Sequence, residues 1–509
     1  MKFAARITIA AALVIATVAT AATVAGAQAS TLRMALPARP PGLGNPYASM
    51  STGGLHPWGA MFDALTYLGD HGQVEPWLAT RWETPTPTTW VFHLRDGIQF
   101  ANGEPFNADT VVTTIEFLKR PESQQLFAAN EVRGITAVRA VDGVTVEITT
   151  AKADAILDRR LSLIMMVPPK AWAAMGADAF AQQPIGTGPF VLEDWGQSRG
   201  RFALKRNPTS WRKSATIDRI EVAPLVDATP RMQALVSRQV DLAYNIGLDA
   251  GDDLRQQGFQ MMVRERSPVE AWALPNTQPK APTADVRVRR AMNMAVNRPA
   301  IAQSILRGLT TGNAQGAVPE MFGFNPDIPD FAYDPEAAKR LLAEAGYADG
   351  FAMTVAIRLE GKGPEWASIY QSVAQDLARI GIRVDLRMIP STEWLRMWGS
   401  GDWQGADSTP FSWTSTYRDA GRAIETVSCL KPGAFFCVPE MVPAIEAAAG
   451  DLDPASRRAR LQGLLAQLHD MAASLYLFSQ IDTLAYGANV TKLRYDGSYV
   501  RIEEIVLAD

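Results

Sequence analysis

Cysteine and histidine are scarce in this 509-residue chain, which has two of the first, Cys429 and Cys437, and four of the second, His56, His71, His93 and His469. No two histidines lie three or four residues apart, so the helical zinc-binding pattern is missing. No C-x-x-C occurs, which argues against dithiol redox chemistry. No G-x-x-x-x-G-K-[ST] loop occurs, so nucleotide hydrolysis is not expected. Neither a metal nor a cofactor is expected. Charge of one sign is missing too: 49 Lys and Arg stand against 53 Asp and Glu, a formal net charge of −4. Nucleic acid needs a basic excess that this chain does not have. Beyond residue 25, no stretch is apolar enough to span a bilayer.

What is present begins at the first residues. Lys2 and Arg6 precede an uncharged run, Ile7 to Ala25, which is followed by Ala27-Gln28-Ala29. A basic start, an apolar run and an Ala-x-Ala site are the parts of a secretory signal peptide. A membrane anchor is the alternative. Cleavage after residue 29 leaves about 480 residues, more than one hydrophobic core supports, so two or more lobes are expected. In an oxidising compartment Cys429 and Cys437 are expected to pair. The bond would contribute about 2.5 kcal/mol by constraining the unfolded chain.

Along the chain, TLRMALP from Thr31 reads as a strand and Trp58 to Leu68 as a helix. TWVFHLRDGIQF alternates as a half-buried strand, as does VTVEITT from Val144. FNADTVVTTIEFLKR reads as a helix capped by Asn107 or Asp109. Asp334, Pro335 and Gly346 bracket another helix. EWASIYQSVAQDLARIG places Ile369, Val373, Leu377 and Ile380 on one helical face, Gly381 ends it, and IRVDLRMI alternates as a strand. Helix, glycine, strand is the order of an α/β layer. ARLQGLLAQLHDMAASLYLF reads as one long amphipathic helix.

GQSRG, Gly196 to Gly200, fits the G-x-S-x-G of a hydrolase elbow. An elbow needs a strand before the serine and a helix after it. Here RFALKRN follows and alternates as a strand, so Ser198 is expected in a hairpin turn. A carboxylate pair assembled by folding leaves a glycosidase-like hydrolase as the surviving enzyme reading.

Four separated stretches resemble one family. They are VEPWLATRWETPTPTTWVFHLRDGIQFANGEPFNADTVVTTIEFL (74–118), PIGTGPFVLEDWGQSRGRFALKRNPTSW (184–211), DVRVRRAMNMAVNRPAI (285–301) and YDPEAAKRLLAEAGYADGF (333–351). Their order and spacing are similar to those of the extracytoplasmic solute-binding proteins of ABC importers, peptide/nickel type, family 5. The resemblance implies an α/β, two-lobed periplasmic-binding-protein fold with an extra domain inserted in the first lobe. Residues 1–29 would be the signal peptide. Lobe one would combine 30–55, 183–272 and 482–509. The inserted domain would be 56–182, and lobe two 273–481. The implied protein is a periplasmic monomer and not an enzyme. It would take up a small-molecule solute between its lobes and dock on ABC permease subunits, with no nucleic acid partner and no membrane-embedded part.

The resemblance also implies site residues. The family pattern Gly-Trp-x-x-Asp-x-x-Asp-Pro is similar to FSWTSTYRDAGR, Phe411 to Arg422. Trp413 matches the tryptophan and Asp419 the second aspartate. The first aspartate, which holds a peptide's ammonium, falls on Thr416. A buried ammonium needs a charged or well-bonded partner, so Asp407 or Asp419 would have to substitute. Phe411, Trp413 and Tyr417 form an aromatic loop suited to rings, sugar faces or cations. Trp394 and Trp398, at helical spacing, are expected in the core. Arg358 lies where some members bind a ligand carboxylate, and Tyr47 lies in a loop expected to face the cleft. The ligand is a peptide or peptide-like solute, or a non-peptide such as an opine-like molecule, an oligosaccharide or a metal chelate.

Overall fold

A computed structural model of the chain describes residues 30–508, apart from 49–51, 70–71, 197–199, 215, 360–362, 364, 414–416, 432 and 497–498. Alternating apolar residues build its main sheet, whose eight strands are β1 (Thr31–Leu36), β2 (Phe190–Asp194), β3 (Phe202–Arg206), β4 (Arg219–Pro224), β5 (Leu242–Tyr244), β6 (Gln260–Ala273), β7 (Pro410–Trp413) and β8 (Ser474–Tyr486). Their order across the sheet is β7-β6-β8-β5-β1-β4-β3-β2. β1 runs parallel to β4 and β5, while the outer pairs are antiparallel.

Two of these strands connect the lobes. β6 and β8 pair antiparallel from Gln260↔Tyr486 to Ala273↔Ser474, with register shifts on either side of Val269. At one end β8 lies beside β5, and at the other β6 lies beside β7. Side chains alternate across a strand, so the same two strands feed two cores. Ala271, Ala273 and Tyr476 join a cluster with Trp413, Phe435 and Leu464. Trp272, Leu475 and Leu477 join another with Met292 and Tyr370. These two clusters form the second lobe. The first lobe packs around Leu32, Phe92, Phe190, Phe202 and Tyr244. It carries a four-stranded antiparallel sheet over residues 79–150, in the order Ala79–Thr86, Thr89–Leu94, Thr145–Thr150, Ile135–Asp142.

Local signals act as their chemistry requires. Asn107 caps the helix Ala108–Lys119 and forms a capping box with Thr110. Asp334 accepts from Ala337 N at 2.8 Å, with Pro335 opening the helix. The helix Glu365–Ala378 ends before Gly381, whose φ of 92° favours glycine, and Ile382–Met388 then pairs in parallel with Phe351–Ile357.

Two expected helices stop early. Trp58 to Leu68 divides into a helix ending at Met61 and a strand, Thr66–Leu68. The long C-terminal helix ends at Asp470, and Ser474 onward becomes β8. The apolar period of LYLF suits either element, and pairing with β6 along its whole length decides for the strand. The GQSRG segment lies between β2 and β3, which pair antiparallel. Gly200 N donates to Gly196 O at 3.0 Å. Ser198 itself lies outside the described residues, as does the signal segment. Cys429 and Cys437 are joined, with Cα atoms 4.6 Å apart. No helix among the described residues is long and apolar enough to cross a membrane.

Candidate functional site

A cavity of about 260 Å³ lies between the lobes. Phe127 and Glu131 line it from the first lobe; Arg358, Trp394, Trp398, Phe411, Ser412, Tyr417, Arg422 and Thr426 line it from the second. Its size falls just below the ~300–1,000 Å³ usual for drug-sized ligands.

One wall is an aromatic stack. The helix α1 (Ser391–Ser400) sets Trp394 and Trp398 four residues apart, on one face. Their rings stack at 5.3 Å and 8°, and Trp398 stacks on Phe411 at 5.4 Å. Trp394 Nε1 donates to Thr409 Oγ1 at 3.1 Å, which fixes the ring. The Arg358 guanidinium carbon lies 4.6 Å over Trp394. No ion pair engages Arg358 among the described residues. A half-buried guanidinium on an indole face, without a counter-ion, is suited to receive an anionic group.

Beneath this wall Ser412 Oγ donates to Glu270 at 2.9 Å. Glu270 also accepts from the Tyr370 hydroxyl at 2.5 Å and from Gln480 Nε2 at 3.1 Å. That network orients Ser412 from below.

The other wall is ionic and spans both lobes. Arg160 binds Glu131 at 3.2 Å and Asp154 at 2.8 Å. Arg160 reaches Glu425 at 3.8 Å, and Arg422 binds Glu425 at 3.2 Å. Glu425 and Arg422 ride on α2 (Ala420–Val427) of the second lobe. Burial pushes the Glu425 pKa up, against the charges of Arg160 and Arg422. Burial also pushes the Tyr417 hydroxyl well above its ordinary range, and the Glu131 charge adds to the effect. Of these groups Glu131 and Arg422 line the cavity itself, and Arg160, Asp154 and Glu425 pair behind them. Further contacts hold the lobes together: Ala155 N donates to Ala449 O at 2.8 Å, and Lys152 binds Glu446 at 2.7 Å.

Of the residues expected in the site, Arg358, Phe411 and Tyr417 line the cavity. Trp413 does not; it is fully buried behind the wall, and its Nε1 donates to Ser474 Oγ at 3.2 Å. Asp419 is also fully buried, paired with Arg457 at 2.6 Å and capping α2 through Gly421 N at 2.9 Å. Tyr47 packs in the first core against Trp172 at 5.3 Å and Phe117 at 5.9 Å. Each is placed by apolar or ionic complementarity that no local motif shows. Thr416 lies outside the described residues. Asp407 is bound to Thr354 N at 2.7 Å. Trp394 and Trp398, expected in the core, pack against it with one side and line the cavity with the other, and folding adds Glu131 and Arg422. The i, i+4 tryptophan spacing was the one sequence signal for this wall.

The seam between the lobes continues past the cavity, where Asp158 lines a second opening with Trp82, Trp90 and Phe322. Burial pushes the Asp158 pKa up to about 6, and the adjacent Arg159 opposes the shift only in part. A carboxyl whose folded pKa is raised adds stability below about pH 4 and loses it as pH rises through about 6. Asp158→Asn is therefore expected to raise the melting temperature at pH 8 and leave it unchanged at pH 4. The gain is at most about 3 kcal/mol. Paired thermal melts check it, and a stabilisation equal at both pH values contradicts it.

A small cavity between two α/β lobes, with two long strands passing between them, is the architecture of a periplasmic binding protein. The chain belongs to the bacterial extracellular solute-binding proteins, family 5, whose model matches residues 73–429. Among curated relatives, heme-binding protein A of Haemophilus influenzae is 28% identical over 341 residues, 61% of either chain. The glutathione-binding protein GsiB of Salmonella typhi is 29% identical over 306 residues, 58% of this chain and 57% of that one. The matches thus span about three fifths of those relatives. The solved periplasmic binding protein DppA of Helicobacter pylori, in complex with the peptide STSA, superposes with a TM-score of 0.81 at 21% identity, covering 94% of this chain and 98% of that one.

Proposed function

We propose that this protein captures a small peptide or peptide-like zwitterion in the cavity between its lobes, in the periplasm, and delivers it to ABC permease subunits. It works as a monomer and without catalysis. Residues 56–182 act as a domain inserted in the first lobe, between segments 30–55 and 183–272 that 482–509 completes, and 273–481 act as the second. The observation that carries the reading is Arg358, a guanidinium without an ion pair on the second-lobe wall of the cavity, with the Glu131 carboxylate on the first-lobe side. The first offers a partner to a ligand carboxylate. The second offers one to an ammonium, in place of an aspartate at position 416. The relatives named for glutathione binding and solved with a peptide support this class. Against a hydrolase, Glu131 is the one carboxylate among the described residues lining the cavity, and arginines engage it.

Calorimetric titration with a panel of di- and tripeptides tests the proposal. Arg358→Gln is expected to weaken the best peptide by roughly 10–100-fold, the worth of a charge-assisted hydrogen bond, with little change in melting temperature. Unchanged affinity refutes the anchoring role. Native mass spectrometry that finds a sugar or opine on the purified protein, with no peptide binding, favours the non-peptide reading, which rests on the stacked tryptophans.

A further inference from the structure

Arg159 and Arg458 line an open groove of about 510 Å³ on the seam, apart from the cavity. Gly72 and Gln73 form its first-lobe side, and Pro319 to Phe322 its second. Arg159 Nη1 donates to two carbonyls, Gly72 O at 2.5 Å and Tyr417 O at 2.8 Å. Carbonyls hold a guanidinium in place without neutralising it. No ion pair engages Arg159 or Arg458 among the described residues. Burial lowers the Arg159 pKa from its ordinary value, with the more distant charges of Asp419 and Asp158 opposing.

Both guanidiniums gather on one ring. The Arg159 carbon lies 5.9 Å from the centre of Phe322 and the Arg458 carbon 4.6 Å from it. Their separation is bounded by the sum of those distances. A third arginine at this ring, Arg457 at 5.1 Å, is neutralised by Asp419. Glu320 also lines the groove, but it is exposed and pairs with neither arginine.

We propose that this groove is a second ligand site, distinct from the cavity, which takes a small oxyanion, a carboxylate or a phosphate group, between Arg159 and Arg458. The two arginines come from different lobes. An anion bound to both ties the lobes together as they stand, so it raises the affinity of the cavity for its own solute by linkage.

Calorimetric titration of phenyl phosphate into the purified protein, at fixed ionic strength and pH 7.5, tests the site. Benzoate in a parallel titration separates phosphate from carboxylate preference. Both titrations are made in an Arg358→Gln background, which removes the cavity's own anion partner, and binding of either is expected to persist there, to weaken about 10-fold on adding Arg458→Gln, and to be kept with Arg458→Lys. Arg458 is exposed, so its variants fold, and circular dichroism checks this. Arg159→Gln gives the same loss from the other lobe. Three results overturn the site: no binding of either probe at millimolar concentration, unchanged binding in Arg458→Gln, or loss of binding in Arg358→Gln, which places the anion in the cavity.

Discussion

Replacing Asp419 with alanine is expected to cost about 3–5 kcal/mol of folding stability, the usual effect of leaving one member of a buried ion pair alone. Asp419 is fully buried and Arg457 is 4% exposed. Both carboxylate oxygens are engaged, at 2.6 and 2.7 Å. Arg457 Nε also donates to Ala448 O at 3.0 Å, so removal of the carboxylate leaves a buried guanidinium without its counter-ion. The same carboxylate caps α2 through Gly421 N, an interaction that adds about 1 kcal/mol. Urea denaturation of Asp419→Ala and of Arg457→Ala measures the effect. The double variant is expected to lose less than the two single losses together, since each single change strands its partner. A loss below 1 kcal/mol in both single variants contradicts the assignment. Solute affinity is expected to fall as well, because α2 carries Arg422 and Thr426 to the cavity wall.

Trp413→Ala is expected to destabilise by a similar amount, about 3–5 kcal/mol, through the cavity it leaves. The indole is enclosed by Tyr476 at 5.7 Å and Phe411 at 6.0 Å. It presses so closely on Gly316 that a Cβ there would lie 2.1 Å from the ring. Glycine is therefore required at 316 for space. The resemblance in sequence assigned Trp413 to the ligand, with alanine weakening binding while leaving the fold intact. Burial reverses that expectation: the melting temperature should fall first, and affinity should change only as Phe411 and Ser412 shift. Trp413→Phe keeps much of the packing and loses the donor to Ser474, at a cost of about 1–2 kcal/mol. Thermal melts of both variants separate the roles. A normal melt with lost binding in Trp413→Ala restores the ligand role.

Much of the fold was legible before any coordinates. Asn107 and Asp334 are caps because their side chains bond the first free amides, which is a local matter. The hairpin around GQSRG follows from alternation on both sides of two glycines. The helix–Gly381–strand unit follows from a 3.6-residue period meeting a residue that tolerates positive φ. The misread segments, Trp58 to Leu68 and Ser474 onward, are short apolar runs whose period does not distinguish helix from strand.

The site divides in the same way. Arg358 came from the family resemblance, Phe411 and Tyr417 from the aromatic character of their loop, and the i, i+4 spacing of Trp394 and Trp398 put both rings on one face. Whether that face met a core or a cavity depended on Phe127 and Glu131, more than 200 residues away in sequence. Glu131, Arg160 and Arg422 carry no motif, because an ion pair needs only proximity, and proximity here is made by the meeting of two lobes. By itself the sequence determined the local elements, the caps and turns, and the family, since each rests on neighbours along the chain. Tertiary structure decided which aromatic rings face the cavity and which are sealed behind it, and which charges are compensated. Those outcomes depend on how β6 and β8 bring distant surfaces together.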